Sequence, residues 1–278
     1  MLKVLLDEQY HPAVVKAHHD YIAAGSDVIT IFNYACVPIF LHNAGKMHEM
    51  ATLNQLAASL AVKAVETYSF EERGEKSRKI WIAGALPTPG ESFNECKSFT
   101  DEDFDDTFKI IVQSIKDHVD FFIAETFAAS RDVRLTAKAA RKYAPDKLLF
   151  VSFTVDKRLT FVNGDSVEEC VETMEKEMEL PPDGYGVNCS EIDHSIKVIE
   201  KMSSLVEKPL VAYPNDLFEK EEGFAPTKGS KGVIKFTAHS DYAEWAKHFL
   251  KTKALRLLGG CCGVFPPKIR EIRKILDS

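Results

Sequence analysis

The feature that most constrains the fold is a regular alternation of short apolar runs with longer amphipathic stretches. The eight runs are four to seven residues long and rich in Val, Ile, Leu and Phe, which suits parallel strands covered on both faces. The predicted strands are Lys3–Leu6, Asp27–Phe32, Ile80–Leu86, Asp120–Ala124, Leu148–Thr154, Gly184–Asn188, Pro209–Tyr213 and Leu255–Leu258. A helix is predicted after each strand, at Pro12–Ala24, Met47–Tyr68, Asp101–His118, Arg131–Tyr143, Ser166–Glu177, Glu191–Met202, Ser240–Leu250 and Pro267–Leu276.

Eight strand–helix units within 278 residues predict an α/β fold, a single closed (β/α)8 TIM barrel that forms one domain over 1–278. An open doubly wound sheet is the alternative. Such a sheet usually has fewer strands, and the sequence contains neither its GxGxxG nucleotide fingerprint nor a P-loop. No Pro/Ser-rich linker or low-complexity tract divides the chain, which favours one domain.

Composition and charge exclude several classes of protein. Hydrophobic residues make up 45% of the chain and charged residues 28%, with a net charge of −7 and a pI near 5.8. These values are typical of a soluble globular protein and lack the basic excess of a nucleic-acid binder. The sequence contains no run of 18 apolar residues, so no membrane span is predicted, and the opening MLKVLLDEQY lacks the features of a secretory signal. We therefore expect a cytoplasmic protein with reduced thiols and with no nucleic-acid or membrane partner.

Two adjacent cysteines stand out in the segment LLGGCCGVFPP at 257–267. Cys261 and Cys262 could form a strained disulfide between neighbours, or could be small residues at a strand end that point to opposite faces. The third interpretation is a metal site, because the flanking glycines allow the backbone to leave strand geometry and aim both thiols at one ion. This interpretation requires a third soft ligand.

The barrel prediction supplies that ligand, because the carboxyl ends of the strands meet at one rim and carry the active site. The residues at such ends are Asp7, Glu125, Cys189 and the Cys261–Cys262 pair. Three thiolates leave the fourth position of a tetrahedral zinc ion open, and their excess negative charge suits the binding of a soft thiol better than the activation of water. A closed structural site with a histidine as fourth ligand is the alternative, and its candidates are His42, His48, His194 and His239.

Three motifs, GVNC at 186–189, YPN at 213–215 and GGCCG at 259–263, resemble in this order the homocysteine S-methyltransferase family. The segments AGSDVIT at 24–30, AETF at 124–127, VSFT at 151–154 and the closing CCGVFPPKIREI fit the same pattern, so the resemblance covers nearly the whole chain. It implies a (β/α)8 barrel in which Cys189, Cys261 and Cys262 hold Zn²⁺ and homocysteine binds the zinc through its sulfur.

The resemblance also implies how the substrates are bound. Asp7 and Glu125 would hold the amino group of homocysteine, and Thr126 would shape its pocket. The methyl donors of the family include S-methylmethionine, S-adenosylmethionine, betaine and methyl-cobalamin, and a single barrel of this length looks most like the branch that uses S-methylmethionine. Residues that fix the geometry of the ligands are expected at Asn188, Asn215 and Gly260, although Asn188 fits a turn residue equally well.

The sequence departs from the family pattern at three places. Asp7 is followed at once by the first predicted helix, so most of the usual first loop is missing. Ile31-Phe32-Asn33 stands where the family tends to read Thr-Asn-Thr, and Asp216-Leu217 stands where Ser-Gly is usual.

We predict a zinc-dependent enzyme that transfers a methyl group from a sulfonium or ammonium donor to a small-molecule thiol acceptor, homocysteine, giving methionine. The alternative raised by the departures is a zinc-loaded barrel that binds a thiol or a partner and transfers nothing.

Overall fold

The computed structural model describes residues 1–216 and 239–278. Its strands form one seven-stranded sheet in which all neighbouring pairs are parallel and the spatial order follows the chain. The strands are β1 (Val28–Thr30), β2 (Trp81–Pro87), β3 (Phe121–Phe127), β4 (Leu148–Phe153), β5 (Gly184–Asn188), β6 (Leu210–Tyr213) and β7 (Leu255–Leu258). The helices are α1 (Leu2–Leu6), α2 (His11–Ala23), α3 (Pro38–Asn43), α4 (Met50–Thr67), α5 (Asp101–Ile115), α6 (Ser130–Tyr143), α7 (Val167–Glu177), α8 (Ile192–Leu205), α9 (His239–Phe249) and α10 (Pro266–Leu276).

The sheet curls around an inner apolar cluster. The cluster contains the buried residues Ala83, Phe121, Ile123, Phe150 and Val211, with Val28, Tyr213 and Leu257 packed against them. Val28 lies on β1 and Leu257 on β7, so residues from both edges of the sheet face the same interior. A larger apolar cluster lies between the outer face of the strands and the helices. With both faces covered, the strands consist largely of apolar residues, as the sequence predicts.

Contacts between α2, α10 and the segment before β1 bring the two edges of the sheet together. Arg273 of α10 forms an ion pair with Asp27 at 2.9 Å, and the hydroxyl of Tyr21 on α2 donates a hydrogen bond to the carbonyl of Val264 at 2.9 Å. Gly25 has a φ of +104°, and a Cβ there would lie 2.5 Å from Cγ of Arg273. Only glycine therefore fits between α2 and α10 at this position.

The strand predicted at Lys3–Leu6 is wrong, because these residues belong to helix α1. Leucine and lysine are good helix formers, and a run of four residues is too short for its periodicity to distinguish a strand from a helix. Helix α1 packs on α4 and buries Leu5. The other seven predicted strands are confirmed, and the described residues contain seven strands rather than the eight of the predicted (β/α)8 barrel.

All eight predicted helices are present, with ends shifted by a few residues, whereas the sequence prediction misses the short helix α3. Within the described residues, no helix is both long enough and apolar enough to cross a membrane. The organisation of 1–278 as a single domain stays a prediction.

Candidate metal centre

The structure brings together the three cysteines that the sequence singled out. Cys189 directly follows β5, and Cys261 and Cys262 lie in the loop after β7. Their sulfur atoms all lie within 4.8 Å of one another, and Sγ of Cys189 is 3.7 Å from Sγ of Cys262. A tetrahedral zinc ion with Zn–S bonds of about 2.3 Å would separate its sulfur ligands by about 3.8 Å. The sulfurs of Cys189 and Cys262 are therefore already spaced as neighbouring corners of such a site, and the sulfur of Cys261 lies within 4.8 Å of both.

The two other interpretations of the adjacent cysteines do not fit this geometry. None of the six cysteines of the chain forms a disulfide, so no such bond joins Cys261 to Cys262. Their side chains do not diverge to opposite faces of a strand, because β7 ends at Leu258 and both sulfurs face Cys189. Among the residues of 1–216 and 239–278, no histidine or carboxylate joins the three sulfurs as a fourth ligand, although the side chain of His239 lies outside the description.

Asn188 fixes the backbone from which Cys189 projects. Its Oδ1 accepts hydrogen bonds from the Thr126 N–H at 3.0 Å and the Ser152 hydroxyl at 2.9 Å, and its Nδ2 donates to the Thr126 hydroxyl at 2.8 Å. Asn188 thereby links the carboxyl ends of β3, β4 and β5. Cys189 and Thr126 both have positive φ angles, +52° and +66°, which few non-glycine residues adopt.

The loop with Cys261 and Cys262 is held by the chain that follows β6. The Cys261 N–H donates to the carbonyl of Pro214 at 2.8 Å, and the Cys262 N–H donates to Oδ1 of Asn215 at 3.1 Å. Gly260 has no room for a side chain, since a Cβ there would lie 2.2 Å from a methyl carbon of Val264. Asn215 and Gly260 are therefore required by the backbone path that turns both cysteines towards Cys189.

Without a cation, the thiol of Cys261 holds its proton tightly. Hydrogen bonding with the thiols of Cys189 and Cys262, together with burial, raises the pKa of Cys261 well above its usual range. A soft cation held by these three residues would reverse this preference, because it would bind the thiolate form. The chemistry of the donor set is thus that of a soft divalent cation site.

Glu125 lies at the carboxyl end of β3 and is half-buried. The hydroxyl of Tyr213 donates a hydrogen bond to its Oε2 at 3.3 Å. Burial raises the pKa of Glu125 to about 7, and the nearby Cys262 adds to the shift. This carboxyl group is therefore close to the cysteine cluster and easily ionised by a cationic ligand.

Two tyrosines near the cluster were not selected as site residues from the sequence, although one of them, Tyr213, belongs to the YPN motif. Tyr213 ends β6, and Tyr34 follows β1, where its hydroxyl is 2.6 Å from Oγ of Ser92. Burial raises the pKa of Tyr34 well above its usual range, and the nearby Cys189 raises it further. The signal that could have found both residues is their position at or just after the carboxyl end of a strand, the same signal that selected Glu125.

The structural reason for selecting Asp7 is wrong, because Asp7 follows helix α1 and not a strand. Its carboxylate caps the 3₁₀ helix Glu8–Tyr10, where it accepts hydrogen bonds from the backbone and side chain of Gln9. A role of Asp7 in substrate binding stays a prediction. Thr126 is 2% exposed and its hydroxyl is bonded to Asn188, so its contribution to a pocket would be indirect.

Comparisons with known proteins agree with this arrangement. The family model described as homocysteine S-methyltransferase matches residues 2–276. Homocysteine S-methyltransferase YbgG of Bacillus subtilis (strain 168) is 25% identical over 97% of this chain and 85% of its own length. Selenocysteine methyltransferase of Astragalus bisulcatus is 26% identical over 95% of this chain and 82% of its own.

The fold is similar to that of the homocysteine methyltransferase MmuM from Escherichia coli. The oxidised form of MmuM superposes with a TM-score of 0.79 at 21% identity, covering 99% of this chain and 87% of that one. Its metallated form gives a TM-score of 0.74 at 19% identity over 97% and 89% of the two chains. This likeness shows a TIM-barrel-type fold, and the match of the family model over nearly all residues shows that the chain belongs to the homocysteine S-methyltransferase family.

Proposed function

We propose that this protein transfers a methyl group from a sulfonium or ammonium donor to the thiol of homocysteine, giving methionine. S-methylmethionine and S-adenosylmethionine are the donors we favour. The single observation that carries the proposal is the convergence of Cys189, Cys261 and Cys262 at one rim of the sheet with no fourth ligand among the described residues. Membership of the family supports the reaction and the acceptor.

We infer that zinc is the metal of the site. Three thiolates with sulfur atoms within 4.8 Å of one another form a soft donor set that needs little movement to become three corners of a tetrahedron. When bound, zinc supplies a Lewis acid that lowers the pKa of the acceptor thiol, so that the acceptor is present as thiolate near neutral pH. The absence of disulfides among the six cysteines also favours a reducing, cytoplasmic location.

Glu125 is the residue best suited to bind the ammonium group of the acceptor. Its carboxyl group lies near Cys262, and the Tyr213 hydroxyl holds one of its oxygens. An ammonium beside it would favour the ionised carboxylate, and the pair would orient the acceptor with its sulfur towards the cysteines. Positioning of this kind supplies much of the acceleration in a two-substrate displacement.

The charges of the site also favour the reaction that we propose. The acceptor sulfur donates an electron pair to the methyl carbon, the bond from that carbon to the donor sulfur or nitrogen breaks, and the donor leaves as a neutral thioether or amine. A negative and a positive charge disappear in this step, so a partly buried site disfavours the separated ions more than the products. Glu125 and the cysteines attract a cationic donor to the same rim.

The rival proposal is a metal-loaded barrel that binds a thiol or a partner without methyl transfer. The observation that motivates it is the short segment between α1 and α2, which leaves little chain to cover the site on this side.

The two proposals differ in whether methionine is formed. Zinc-loaded protein should be incubated with homocysteine that is deuterated in its carbon chain, together with S-methylmethionine, S-adenosylmethionine or betaine.

Deuterated methionine, detected by mass spectrometry, is expected with at least one donor. The label is needed because S-methylmethionine itself leaves unlabelled methionine when it loses a methyl group. The Cys261→Ser variant serves as the control and should form none. Stoichiometric zinc without deuterated methionine from any of the three donors would contradict the proposed reaction and favour the rival.

A further inference from the structure

A buried ion pair lies directly behind the loop of Cys261 and Cys262. The carboxylate of Asp216 and the ammonium of Lys268 are joined, and each residue is 1% exposed. Lysine is almost never fully buried unless it is paired, because removing both charges from water carries a large desolvation cost. None of the chemistry proposed above uses either residue, so this costly pair requires its own explanation.

The stability of helix α10 does not explain why a lysine is buried at position 268. Lys268 lies in the first turn of α10, and the positive end of the helix dipole disfavours a cation at this place. Burial lowers the pKa of Lys268. Both effects oppose the charged lysine, whereas Asp216 offsets them by placing its carboxylate against the ammonium group.

The pair connects two segments that both hold Cys262. Asp216 follows β6, and its N–H donates to the carbonyl of Cys262 at 2.9 Å. The preceding Asn215 accepts the hydrogen bond from the Cys262 N–H at 3.1 Å. The backbone of Cys262 is thus held on both sides by two consecutive residues. Because α10 begins at Pro266, the bond from Asp216 to Lys268 anchors the loop at its far end as well.

Tyr242 joins the same two segments from the other side. Its hydroxyl is 3.2 Å from both the carbonyl of Pro214 and the carbonyl of Gly259. Nζ of Lys268 lies 5.5 Å from the centre of the Tyr242 ring. The chain after β6 and the cysteine loop are therefore joined by buried polar groups, and the ion pair adds a charged contact to them.

We propose that Asp216 and Lys268 are positioning residues, whose ion pair sets Cys262 at the distance from Cys189 that a soft divalent cation requires. This inference rests on the proposed metal centre but not on methyl transfer. Without the pair, the loop after β7 would keep its cysteines but would lose the fixed spacing of their sulfurs. The binding of metal would then have to order the loop, and its affinity would fall.

The test uses Co²⁺ as the probe, because its visible spectrum reports the geometry and the sulfur ligands of the site. Affinity is measured under anaerobic conditions by competition with a chelator, at a temperature where circular dichroism shows every variant to be folded. Asp216→Asn combined with Lys268→Met removes the pair without leaving a buried charge alone. Asp216→Glu keeps both charges but lengthens the connection by one methylene group.

The expected result is a loss of Co²⁺ affinity of about 10- to 100-fold in the double variant, with an altered visible spectrum. Asp216→Glu should show a smaller loss in the same direction, and Lys268→Arg should retain most of the affinity because it can restore the ion pair. The matched control is Asp183→Asn, which breaks an ion pair with Arg141 at the amino end of β5, on the opposite rim. This control should lose stability and leave both the affinity and the spectrum unchanged.

Wild-type affinity and spectrum in both the double variant and Asp216→Glu would overturn the positioning role, whatever their melting temperatures. A wild-type protein that takes up no Co²⁺ would overturn it together with the metal centre. Tight Co²⁺ binding that depends on the pair, in a protein that forms no methionine, would overturn the proposed reaction alone and would support the positioning role.

Discussion

The side-chain amide of Asn188 holds Thr126 at two points. Its Oδ1 accepts a hydrogen bond from the Thr126 N–H at 3.0 Å, and its Nδ2 donates to the Thr126 hydroxyl at 2.8 Å. Thr126 and Cys189 adjoin Glu125 and Asn188 in sequence, and both have a positive φ. One amide therefore stabilises two strained strand ends, one next to the carboxylate that we propose for binding the acceptor and one that carries a proposed metal ligand.

Replacing Asn188 with alanine should destabilise the protein and loosen the site. The change leaves the buried Thr126 N–H and Ser152 hydroxyl without their acceptor, and we expect the free energy of unfolding to fall by about 2–4 kcal/mol. Urea denaturation measures this change, and metal affinity should fall as well. Asn94→Ala at an exposed position is the control and should change neither quantity. A fully stable Asn188→Ala variant with normal metal content would show that Asn188 is only a turn residue.

Replacing Cys261 with serine should sharply lower the bound metal while the fold survives. A hydroxyl is a poor ligand for a soft cation, and the remaining pair of sulfurs cannot hold the ion as three do. Metal content is measured by atomic emission after gel filtration, and folding by circular dichroism. Cys170→Ala is the control, since Cys170 is a buried residue of α7 that does not belong to the cluster and should not affect metal content. Equal metal content in Cys261→Ser and wild type would refute the ligand assignment.

Replacing Glu125 with glutamine should weaken the binding of homocysteine more than it weakens the binding of metal. The variant keeps the shape of the side chain but loses the negative charge that we assign to the ammonium group of the acceptor. We expect KM for homocysteine to rise at least tenfold, which corresponds to about 1.4 kcal/mol or more for one charged hydrogen bond. Zinc content should stay the same, and the exposed Glu72→Gln should behave as wild type. An unchanged KM would remove Glu125 from the acceptor site.

His18 should make the stability of the protein fall in mild acid. Its side chain is buried on α2, and Nε2 has no hydrogen-bond partner among the described residues. Burial, followed by the charge of His19, lowers the pKa of His18 from 6.5 to about 4. The unfolded chain therefore binds a proton before the native chain does, so the contribution of this residue is complete above about pH 6.5 and is lost as the pH falls towards 4.

The test of this prediction is His18→Phe. The loss of unfolding free energy between pH 6.5 and pH 4 should shrink by up to about 3 kcal/mol relative to the wild type. The exposed His48→Gln is the matched control and should keep the full wild-type dependence on pH. Parallel pH profiles for His18→Phe and wild type would mean that another group causes the loss in acid.

The sequence predicts the site better than it predicts the start of the chain. The apolar strands and the rule that their carboxyl ends converge are enough to bring Cys189 to Cys261 and Cys262. The same rule gave a wrong position for Asp7, because the run Lys3–Leu6 forms a helix and not a strand. The run is too short for its pattern to show this, and in the fold the helix packs against α4. Local patterns cannot report a choice that depends on a helix some 45 residues further along the chain.

Contacts between residues that are far apart in the sequence also could not be predicted from it. Asn188 could be named as a candidate from its place beside Cys189, but its hydrogen bonds to Thr126 depend on the register of β3 against its neighbours. The ion pair between Asp216 and Lys268 leaves no periodic pattern in the sequence from which it could be predicted. Each charge by itself suggests an exposed residue, and only the packing of α10 against the chain after β6 buries them together.

The distance along the chain between Cys189 and Cys262, 73 positions, has a further consequence. A cation bound by both would act as a cross-link, closing a loop that contains α8, β6, α9 and β7. Closing a loop of this length removes conformational entropy from the unfolded chain worth about 4 kcal/mol, by analogy with a disulfide. In metal-depleted protein, the amides of β6 and β7 would exchange hydrogen with the solvent sooner than those of β2 and β3. The ion proposed to bind the acceptor thiol would therefore also stabilise the last strands of the sheet.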